Sequence, residues 1–145
     1  MIRRVGEPVK KDRTFKRRPG AYAILERDGA LLLTHQMEPT PEFQLPGGGV
    51  DPGEQVLPAL HREVYEETGW HVGKLKRVGA FRRFTYMPEY DLWAEKVCVV
   101  YFGRPTMRIS APLEEGHSAH WMSPVDACEL AGNPGDRMFL RHLYG

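Results

Sequence analysis

The chain has 145 residues, of which 41% are hydrophobic and 27% are charged, and its mean hydropathy is −0.47. This length fits one domain with a single core, expected here over residues 1–145, and leaves no room for a second catalytic domain. The longest apolar runs are far shorter than the roughly 20 residues of a membrane span, and the basic start lacks the apolar stretch of a secretory signal. We therefore expect a cytoplasmic protein that does not cross a membrane.

Charge is distributed unevenly along the chain. Residues 1–18 contain eight bases and two acids, a net charge of +6, whereas the whole chain carries only +1. A basic segment beside an acidic body could attract polyphosphate, but such runs more often form a solvated edge strand, which is our prediction. The low overall charge gives no general attraction to nucleic acid, so we do not expect nucleic acid as a partner.

A β-hairpin is predicted near the start of the chain. Residues 21–25 and 30–34 are apolar runs, and the Asp28-Gly29 pair between them is typical of a hairpin turn. Residues 46–53, with the sequence PGGGVDPG, are too rich in glycine and proline for regular structure. We predict a hairpin followed by a loop.

An amphipathic helix is predicted from about Glu54 to Thr68. Gly69 is a typical C-terminal stop, and Pro58 falls in the first turn, where its missing N–H costs little. Apolar residues at spacings of three and four indicate one buried face, formed by Leu57, Leu60 and Val64.

Short strands and two further helices are predicted downstream. Strands are expected near 72–86, 95–104 and 118–122, and helices at 124–131 and 134–143. The loops between them are expected to contain Pro88, Pro105 and Pro112. Short strands in mixed order around a long helix predict an α/β (α+β) sandwich rather than a repeating βαβ array.

The cysteines and histidines of the chain support two further expectations. Cys98 and Cys128 form no CxxC pair, and we expect both to be reduced. The six histidines form no HExxH motif, which disfavours zinc hydrolase chemistry.

Three glutamates share one face of the predicted helix, namely Glu63, Glu66 and Glu67. Like charges at this spacing each cost roughly 0.2–0.5 kcal/mol, and acids near a helix C-terminus oppose the helix dipole by about 0.3–1 kcal/mol. A bound divalent cation, Mg²⁺ first and Mn²⁺ second, would explain the placement. The alternative is that these acids are solvated or paired with a base. Residues 47–49, all glycine, favour the metal site because their backbone can approach closely and leave carbonyl oxygens free.

From Gly48 the sequence runs GGVDPGEQVLPALHREVYEETGW, which satisfies the pattern G-x5-E-x7-R-E-U-x-E-E-x-G-U, where U is a bulky apolar residue. This is the Nudix box, and the chain resembles the Nudix hydrolase family, in particular its MutT-type pyrophosphohydrolases. The fixed positions of the box are Gly48, Glu54, Arg62, Glu63, Glu66, Glu67 and Gly69.

The resemblance implies a fold and a metal site. The implied fold is an α/β/α sandwich with a mixed central sheet and a loop-helix-loop that binds divalent metal. The implied metal ligands are Glu63, Glu66, Glu67 and the carbonyl oxygen of Gly47. Arg62 and Glu54 are implied as supporting residues, with Arg62 orienting the carboxylates and Glu54 balancing the cluster.

A further carboxylate is implied by a second similarity. Glu115-Gly116 and the downstream segment 121–123 resemble the EG…WMS segment of MutT-type enzymes, in which the loop glutamate approaches the metals. This implies Glu115, ahead of Glu114, as a catalytic candidate beside Glu66 and Glu67. The general base is either a box glutamate or a carboxylate of a distant loop. Alternatively, the two loop acids form an exposed turn.

Candidate substrate contacts lie mainly after the box. A nucleobase needs a flat apolar contact and polar groups at its edge. Five aromatic residues lie close together, at Phe81, Phe84, Tyr86, Tyr90 and Trp93. Most are expected in the core, and Tyr86 and Trp93 are the predicted ligand contacts. Arg18, Arg82 and Arg83 could bind phosphate, and Arg18 and Arg82 are the predicted contacts. Asn133 is also predicted, because it resembles the base-reading Asn of MutT-type enzymes.

The sequence favours one function and leaves several less favoured ones open. We expect a metal-dependent pyrophosphohydrolase acting on a nucleoside triphosphate or another nucleoside diphosphate derivative. The position of Tyr86 resembles dinucleoside polyphosphate hydrolases, and that of Pro88 lies close to an ADP-ribose hydrolase marker. A non-catalytic nucleotide sensor also stays open, as does an RNA 5′-end pyrophosphohydrolase, to which the basic segment would contribute. A homodimer is an open possibility.

Overall fold

The computed structural model describes residues 2–145, in which a mixed eight-stranded sheet is flanked by helices. The strands are β1 (Arg3–Arg4), β2 (Lys16–Arg27), β3 (Ala30–Gln36), β4 (Glu42–Gln44), β5 (Gly47–Gly49), β6 (Trp70–Met87), β7 (Leu92–Arg108) and β8 (His117–Met122). The helices are α1 (Val56–Thr68), α2 (Pro124–Leu130) and α3 (Pro134–Tyr144), with one 3₁₀ turn at Pro88–Tyr90. The predicted fold class is confirmed.

The sheet has the strand order β1-β6-β7-β2-β3-β4, with β5 paired to β2 and β8 paired to β3. The pairs β1–β6 and β2–β7 are parallel, and the others are antiparallel. The predicted hairpin is β2–β3, and its turn has positive φ at Asp28 (53°) and Gly29 (80°), as a type I′ turn requires.

The core has two layers because β2 is covered on both faces. Its alternate residues Ala21, Ala23 and Leu25 pack with Leu60 and Val64 of α1. The intervening Ile24 belongs to the other layer, which contains Phe81, Val100 and Leu140 of α3. Helices on both sides of the sheet give the expected sandwich, with α1 on one face and α3 on the other.

Helix α1 follows the prediction except at its start. Pro58 lies in the first turn, and Gly69 ends the helix in the left-handed conformation with φ of 77°. Leu57 was predicted in the buried stripe, but its exposed fraction is 43%. The prediction was wrong because the whole first turn, residues 56–58, is exposed, and Ala59 begins the buried face instead.

The glycine-rich segment is partly a strand, which corrects the prediction of a loop. Gly47–Gly49 pairs antiparallel with residues 20–22 of β2. Hydrogen bonds on either side hold it there, from Ala23 N–H to Pro46 O and from Val50 N–H to Pro19 O, both 2.9 Å. Side chains are excluded at two of the three positions, because an added Cβ would overlap the Ala21 carbonyl oxygen at Gly47 and would lie 2.6 Å from the Glu63 carboxyl carbon at Gly48.

Pro105 also departs from prediction, since it lies within β7 rather than in a loop. It pairs with Val72 beside a register shift between His71 and Val72, where a residue without an N–H is tolerated. Cys98 and Cys128 are both free thiols.

The basic segment 1–18 contributes to two parts of the sheet. Met1 lies outside the described residues. Arg3–Arg4 form β1, which pairs with β6 at one end of the strand order, whereas Lys16 to Arg18 begin β2 inside the sheet. Within residues 2–145, no helix combines the length and the apolar character needed to cross a membrane.

Candidate active site

The acidic face of α1 lies against β5. Glu67 is only 6% exposed, and its carboxylate accepts a hydrogen bond of 3.1 Å from the backbone N–H of Gly47. On the neighbouring turn, Glu63 lies beside Gly48. A Cβ atom on Gly48 would lie 2.6 Å from the carboxyl carbon of Glu63, closer than side-chain atoms approach each other. The absence of a side chain at Gly48 therefore permits the observed position of Glu63.

The backbone of Gly47 is turned towards the same acids. Because Ala23 bonds to the preceding residue, Pro46, the next residue along β5 points its polar groups away from β2. The N–H of Gly47 accordingly bonds to Glu67 rather than to β2.

Arg62 ties the acids together from the exposed side. Its guanidinium lies 3.0 Å from a carboxylate oxygen of Glu54, 3.2 Å from Glu63 and 3.4 Å from Glu66. The pKa of Glu54 is lowered by a hydrogen bond from the backbone N–H of Asp51 and by Arg62. These carboxylates raise the pKa of Arg62 in turn. One guanidinium orients three carboxylates, but its single charge does not neutralise them.

Burial disfavours the ionised forms of Glu63 and Glu67. Burial raises the pKa of Glu63 to about 7, an effect that Arg62 opposes and that Glu114 and Glu66 add to. Burial also raises the pKa of Glu67 well above its ordinary value, against the hydrogen bond from Gly47. A positive charge placed among these groups would favour their ionised forms. The set of carboxylate donors fits a hard divalent cation.

Glu114, rather than Glu115, joins the helix acids. The N–H groups of Leu113 and Glu114 both donate to the carbonyl of Glu66, at 2.8 and 3.0 Å, and hold this loop against α1. Both glutamates are exposed, but among the described residues only Glu114 belongs to the acidic groupings, and Glu115 lies outside them. The geometry therefore favours Glu114 as the loop carboxylate, because its backbone is fixed to the helix that carries the other acids.

Two overlapping groups of side chains that could hold a metal ion result. One contains Glu63, Glu66 and Glu114, and the other contains Glu67, Glu114 and His117; within each group the ligand atoms lie within 4.8 Å of one another. His117 was not predicted from the sequence. Its spacing of three from Glu114 was the available signal, but that spacing has no fixed meaning outside a helix.

A cavity of about 720 Å³ joins the acids to the predicted nucleotide contacts. Its lining includes Glu63, Glu67 and Glu114, and also Tyr86 and Asn133. The side chain of Asn133 caps α3, accepting a hydrogen bond from Gly135 N–H at 2.8 Å. Tyr86 donates its hydroxyl proton to Asp91, a bond that raises the pKa of the tyrosine.

Arg18 lies beside this cavity. It lines a smaller adjoining pocket of about 110 Å³, which shares Tyr22, Gly49, Met87, Tyr90 and Lys96 with the larger one. Its guanidinium stacks on the ring of Tyr90 at 4.9 Å.

The structure places Arg82 and Trp93 outside the cavity lining. Arg82 lies 3.5 Å from a carboxylate oxygen of Glu95 and packs over Phe84. Trp93 lies beneath the basic N-terminal segment, with Lys10 at 5.0 Å and Arg13 at 4.9 Å from its ring, and packs against Tyr86 at 5.1 Å. Arg82 and Trp93 were predicted as substrate contacts, and neither lines the cavity that contains Tyr86 and Asn133.

The cavity contains charged groups that were not selected as site residues, although Arg83 was considered as a phosphate contact. Arg83 and Lys96 line it from β6 and β7, and Asp136 lines it from α3. Asp136 is buried, accepts a 3.2 Å hydrogen bond from Leu45 N–H, and has its pKa raised by burial to about 7. Strand alternation was the available signal for Arg83, since it points to the side opposite Arg82.

The family model described as the NUDIX domain matches residues 15–143. The chain belongs to this family. Among curated relatives, a Bacillus subtilis protein named as a candidate 8-oxo-dGTP diphosphatase is 34% identical over 74 residues, covering 51% of this chain and 50% of the relative. The RNA pyrophosphohydrolase of Mesorhizobium japonicum is 35% identical over 89 residues, covering 56% and 49%. The asymmetrical bis(5′-nucleosyl)-tetraphosphatase of Sus scrofa is 32% identical, covering 59% and 58%.

The Nudix chain matches about half the length of these curated relatives. Solved structures match it more completely. A NUDIX hydrolase from Nitrosomonas europaea aligns with a TM-score of 0.70 at 21% identity, covering 88% of this chain and 90% of that one. A MutT NUDIX hydrolase from Burkholderia pseudomallei aligns with a TM-score of 0.69 at 22% identity, covering 87% and 97%. These likenesses establish the Nudix fold.

Proposed function

We propose that this Nudix protein is a pyrophosphohydrolase that cleaves a nucleoside triphosphate or another nucleoside diphosphate derivative. One observation carries the proposal: a single cavity is lined both by the acids Glu63, Glu67 and Glu114 and by Tyr86 and Asn133. The acids suit a metal-bound phosphate chain, and an aromatic ring with a side-chain amide suits a nucleobase. The relatives named as diphosphatases and pyrophosphohydrolases support the same class of reaction.

In this proposal the metal ligands are Glu63, Glu66, Glu67 and the carbonyl oxygen of Gly47, and the cation is Mg²⁺ or Mn²⁺. When bound, such a cation neutralises phosphate oxygens and acidifies water. Arg62 holds the carboxylates of Glu63 and Glu66 in position, and Glu54 holds Arg62.

The same acids supply candidates for the general base. Glu66 and Glu67 lie on the helix, and Glu114 faces them from the loop as a member of both acidic groups. Glu114 takes the role predicted for Glu115, because its main chain is anchored to Glu66. A carboxylate at this position would accept the proton of the attacking water.

Phosphate and base contacts would come from the cavity residues other than the acids. Arg83 and Lys96 supply positive charge along the cavity, and Arg18 adds a guanidinium in the adjoining pocket. A fork-shaped guanidinium binds phosphate oxygens in pairs. These groups, with Tyr86 and Asn133, would hold the nucleotide while its phosphate chain reaches the acids.

A panel of nucleotides with Mg²⁺ tests the proposal, with released phosphate measured after phosphatase coupling. The panel includes nucleoside triphosphates, dinucleoside polyphosphates and ADP-ribose. We expect turnover of at least one compound, lowered at least about 100-fold by Glu67→Gln because a metal ligand is lost. Glu129→Gln, an exposed helical glutamate outside the cavity lining, is the matched control and should retain activity. Nucleotide binding without turnover would instead support a sensor.

RNA 5′ ends are a second candidate substrate, favoured by the position of the basic segment. Lys10 and Arg13 stack on Trp93, which packs against the cavity residue Tyr86, so positive charge continues from the cavity onto the surface. Phosphates of a longer chain would bind there in a salt-dependent manner.

A comparison of triphosphorylated RNA with the matching nucleoside triphosphate at low and at physiological salt tests this candidate. We expect the KM for RNA, but not for the nucleotide, to rise with salt. Lys10→Ala with Arg13→Ala should raise the KM for RNA and reduce its salt dependence. Equal KM values and equal salt dependence for both substrates would exclude a role for the basic segment.

A further inference from the structure

His117 lies at the edge of the acidic cluster, as the first residue of β8. It pairs with Gln36 of β3, which fixes its backbone in the sheet. Only 15% of its side chain is exposed, and the imidazole lines the large cavity. A rigid strand end therefore presents this ring to the same space as the buried acids.

One ring nitrogen of His117 lacks a partner. Its Nδ1 atom is buried and makes no hydrogen bond within residues 2–145. The other nitrogen, Nε2, lies 3.8 Å from a carboxylate oxygen of Glu114, too far for a hydrogen bond. Buried polar nitrogens are nearly always satisfied, so an imidazole that makes no hydrogen bond within residues 2–145 and has its Nε2 atom 3.8 Å from the Glu114 carboxylate indicates a further interaction.

The distances fit a shared cation. One carboxylate oxygen each from Glu67 and Glu114 and one ring nitrogen of His117 lie within 4.8 Å of one another. Ligands about 2.0–2.2 Å from one ion lie up to about 4.4 Å apart, so small side-chain movements would bring all three atoms to it. Imidazole nitrogen binds the divalent transition ions, among which Mn²⁺ is the weakest binder, whereas Mg²⁺ prefers oxygen.

We propose that His117 is a nitrogen ligand to a divalent cation shared with Glu67 and Glu114. The proposal rests on the metal site of the proposed function and goes beyond it by adding a nitrogen donor to an otherwise oxygen-based set. The consequence is selectivity: replacing His117 should weaken Mn²⁺ binding more than Mg²⁺ binding, because only the softer ion benefits strongly from imidazole.

Electron spin echo spectroscopy of protein-bound Mn²⁺ tests the ligand directly. Wild-type protein should show ¹⁴N modulation, which changes to the ¹⁵N pattern when the protein contains ¹⁵N-labelled histidine. His117→Gln should abolish the modulation and lower Mn²⁺ affinity about 10-fold, with a change of less than about 3-fold for Mg²⁺. His120→Gln is the matched control, because His120 lies in the same strand but bonds to Ser118 and is outside both acidic groups.

The readouts separate two ways of failing. Mn²⁺ bound in a Glu67-dependent manner, but without histidine modulation, overturns the role of His117 and leaves the acidic site intact. The wild-type isotope measurement gives this answer even if His117→Gln does not fold. Failure of Mn²⁺ to bind, or binding that Glu67→Gln leaves unchanged, overturns both this inference and the metal site on which it rests.

Discussion

At the scale of single residues, the site depends on the absence of side chains at β5. Gly48 is the sharpest case, because its missing Cβ leaves the space that the Glu63 carboxylate occupies. Gly48→Ala should displace this carboxylate, and because the atoms it meets are the flexible end of a side chain, the fold should survive. We expect a loss of Mn²⁺ affinity of at least about 10-fold, measured by titration calorimetry, with little change in thermal stability.

Gly49 provides the control for Gly48→Ala. It lies next in the same strand, and the nearest atom to an added Cβ is the Pro19 carbonyl oxygen at 3.9 Å, an ordinary contact. Gly49→Ala should therefore bind Mn²⁺ as the wild type does. Equal metal affinity in both variants would show that Glu63 does not need its observed position to bind the cation.

At the scale of elements, the turn after α1 connects the helix acids to the loop acid. Gly69 has φ of 77°, and its carbonyl accepts hydrogen bonds from Ile109 at 2.8 Å and from Ser110 at 3.3 Å. A Cβ on Gly69 would overlap the Ser110 carbonyl oxygen. Gly69→Ala therefore meets both left-handed strain and a backbone clash, and moving this loop would also move Glu114.

We expect Gly69→Ala to lower the free energy of unfolding by more than the roughly 1 kcal/mol of left-handed strain alone, measured by urea denaturation. Gly53→Ala is the control, because Gly53 has a similar φ of 82° but no atom within 4 Å of an added Cβ. The difference between the two variants isolates the clash. Equal losses of unfolding free energy in the two variants would mean that the backbone at Ser110 moves away from the added Cβ without an energetic cost.

The loop also shows where prediction from sequence stops. Helix α1 was predictable, because three-and-four spacing, a first-turn proline and a C-terminal glycine all agree within one local segment. The sequence did not show which of Glu114 and Glu115 lies beside the helix acids. It depends on hydrogen bonds from this loop to the carbonyls of Glu66 and Gly69, which join segments distant in the chain. The strand at Gly47–Gly49 likewise exists only because β2 lies beside it.

At the scale of the whole molecule, the sheet brings together the two walls of the cavity. Arg83, Lys96 and Asp136 come from β6, β7 and α3, and their meeting depends on strand register and alternation across the sheet. The box glutamates were predictable as a group because one helix carries them. The basic residues of the cavity come from separate strands, so the sequence did not show which of the two neighbouring arginines lines it. Arg82 was selected as the phosphate contact, although Arg83 is the one that lines the cavity.

The tertiary fold also sets the pH dependence of stability, and Asp136 is one of the groups that contribute to it. Burial raises its pKa to about 7 from an ordinary 3.8. Below about pH 4 the carboxyl is protonated in both the folded and the unfolded states. Between about pH 4 and about pH 7 the unfolded chain ionises while the folded protein keeps its proton, so the free energy of unfolding falls as pH rises. The full loss is of order 4 kcal/mol.

Asp136→Asn should remove this contribution. Urea unfolding in EDTA from about pH 4 to about pH 8 should show a shallower decline in unfolding free energy for the variant than for the wild type. Buried Glu63 and Glu67 add a loss of the same sign, but they are present in both proteins and cancel in the comparison. Asp126→Asn is the control, because Asp126 is also the third residue of a proline-started helix but is exposed. Parallel profiles for wild type and Asp136→Asn would mean that the folded protein ionises Asp136 as readily as the unfolded chain does.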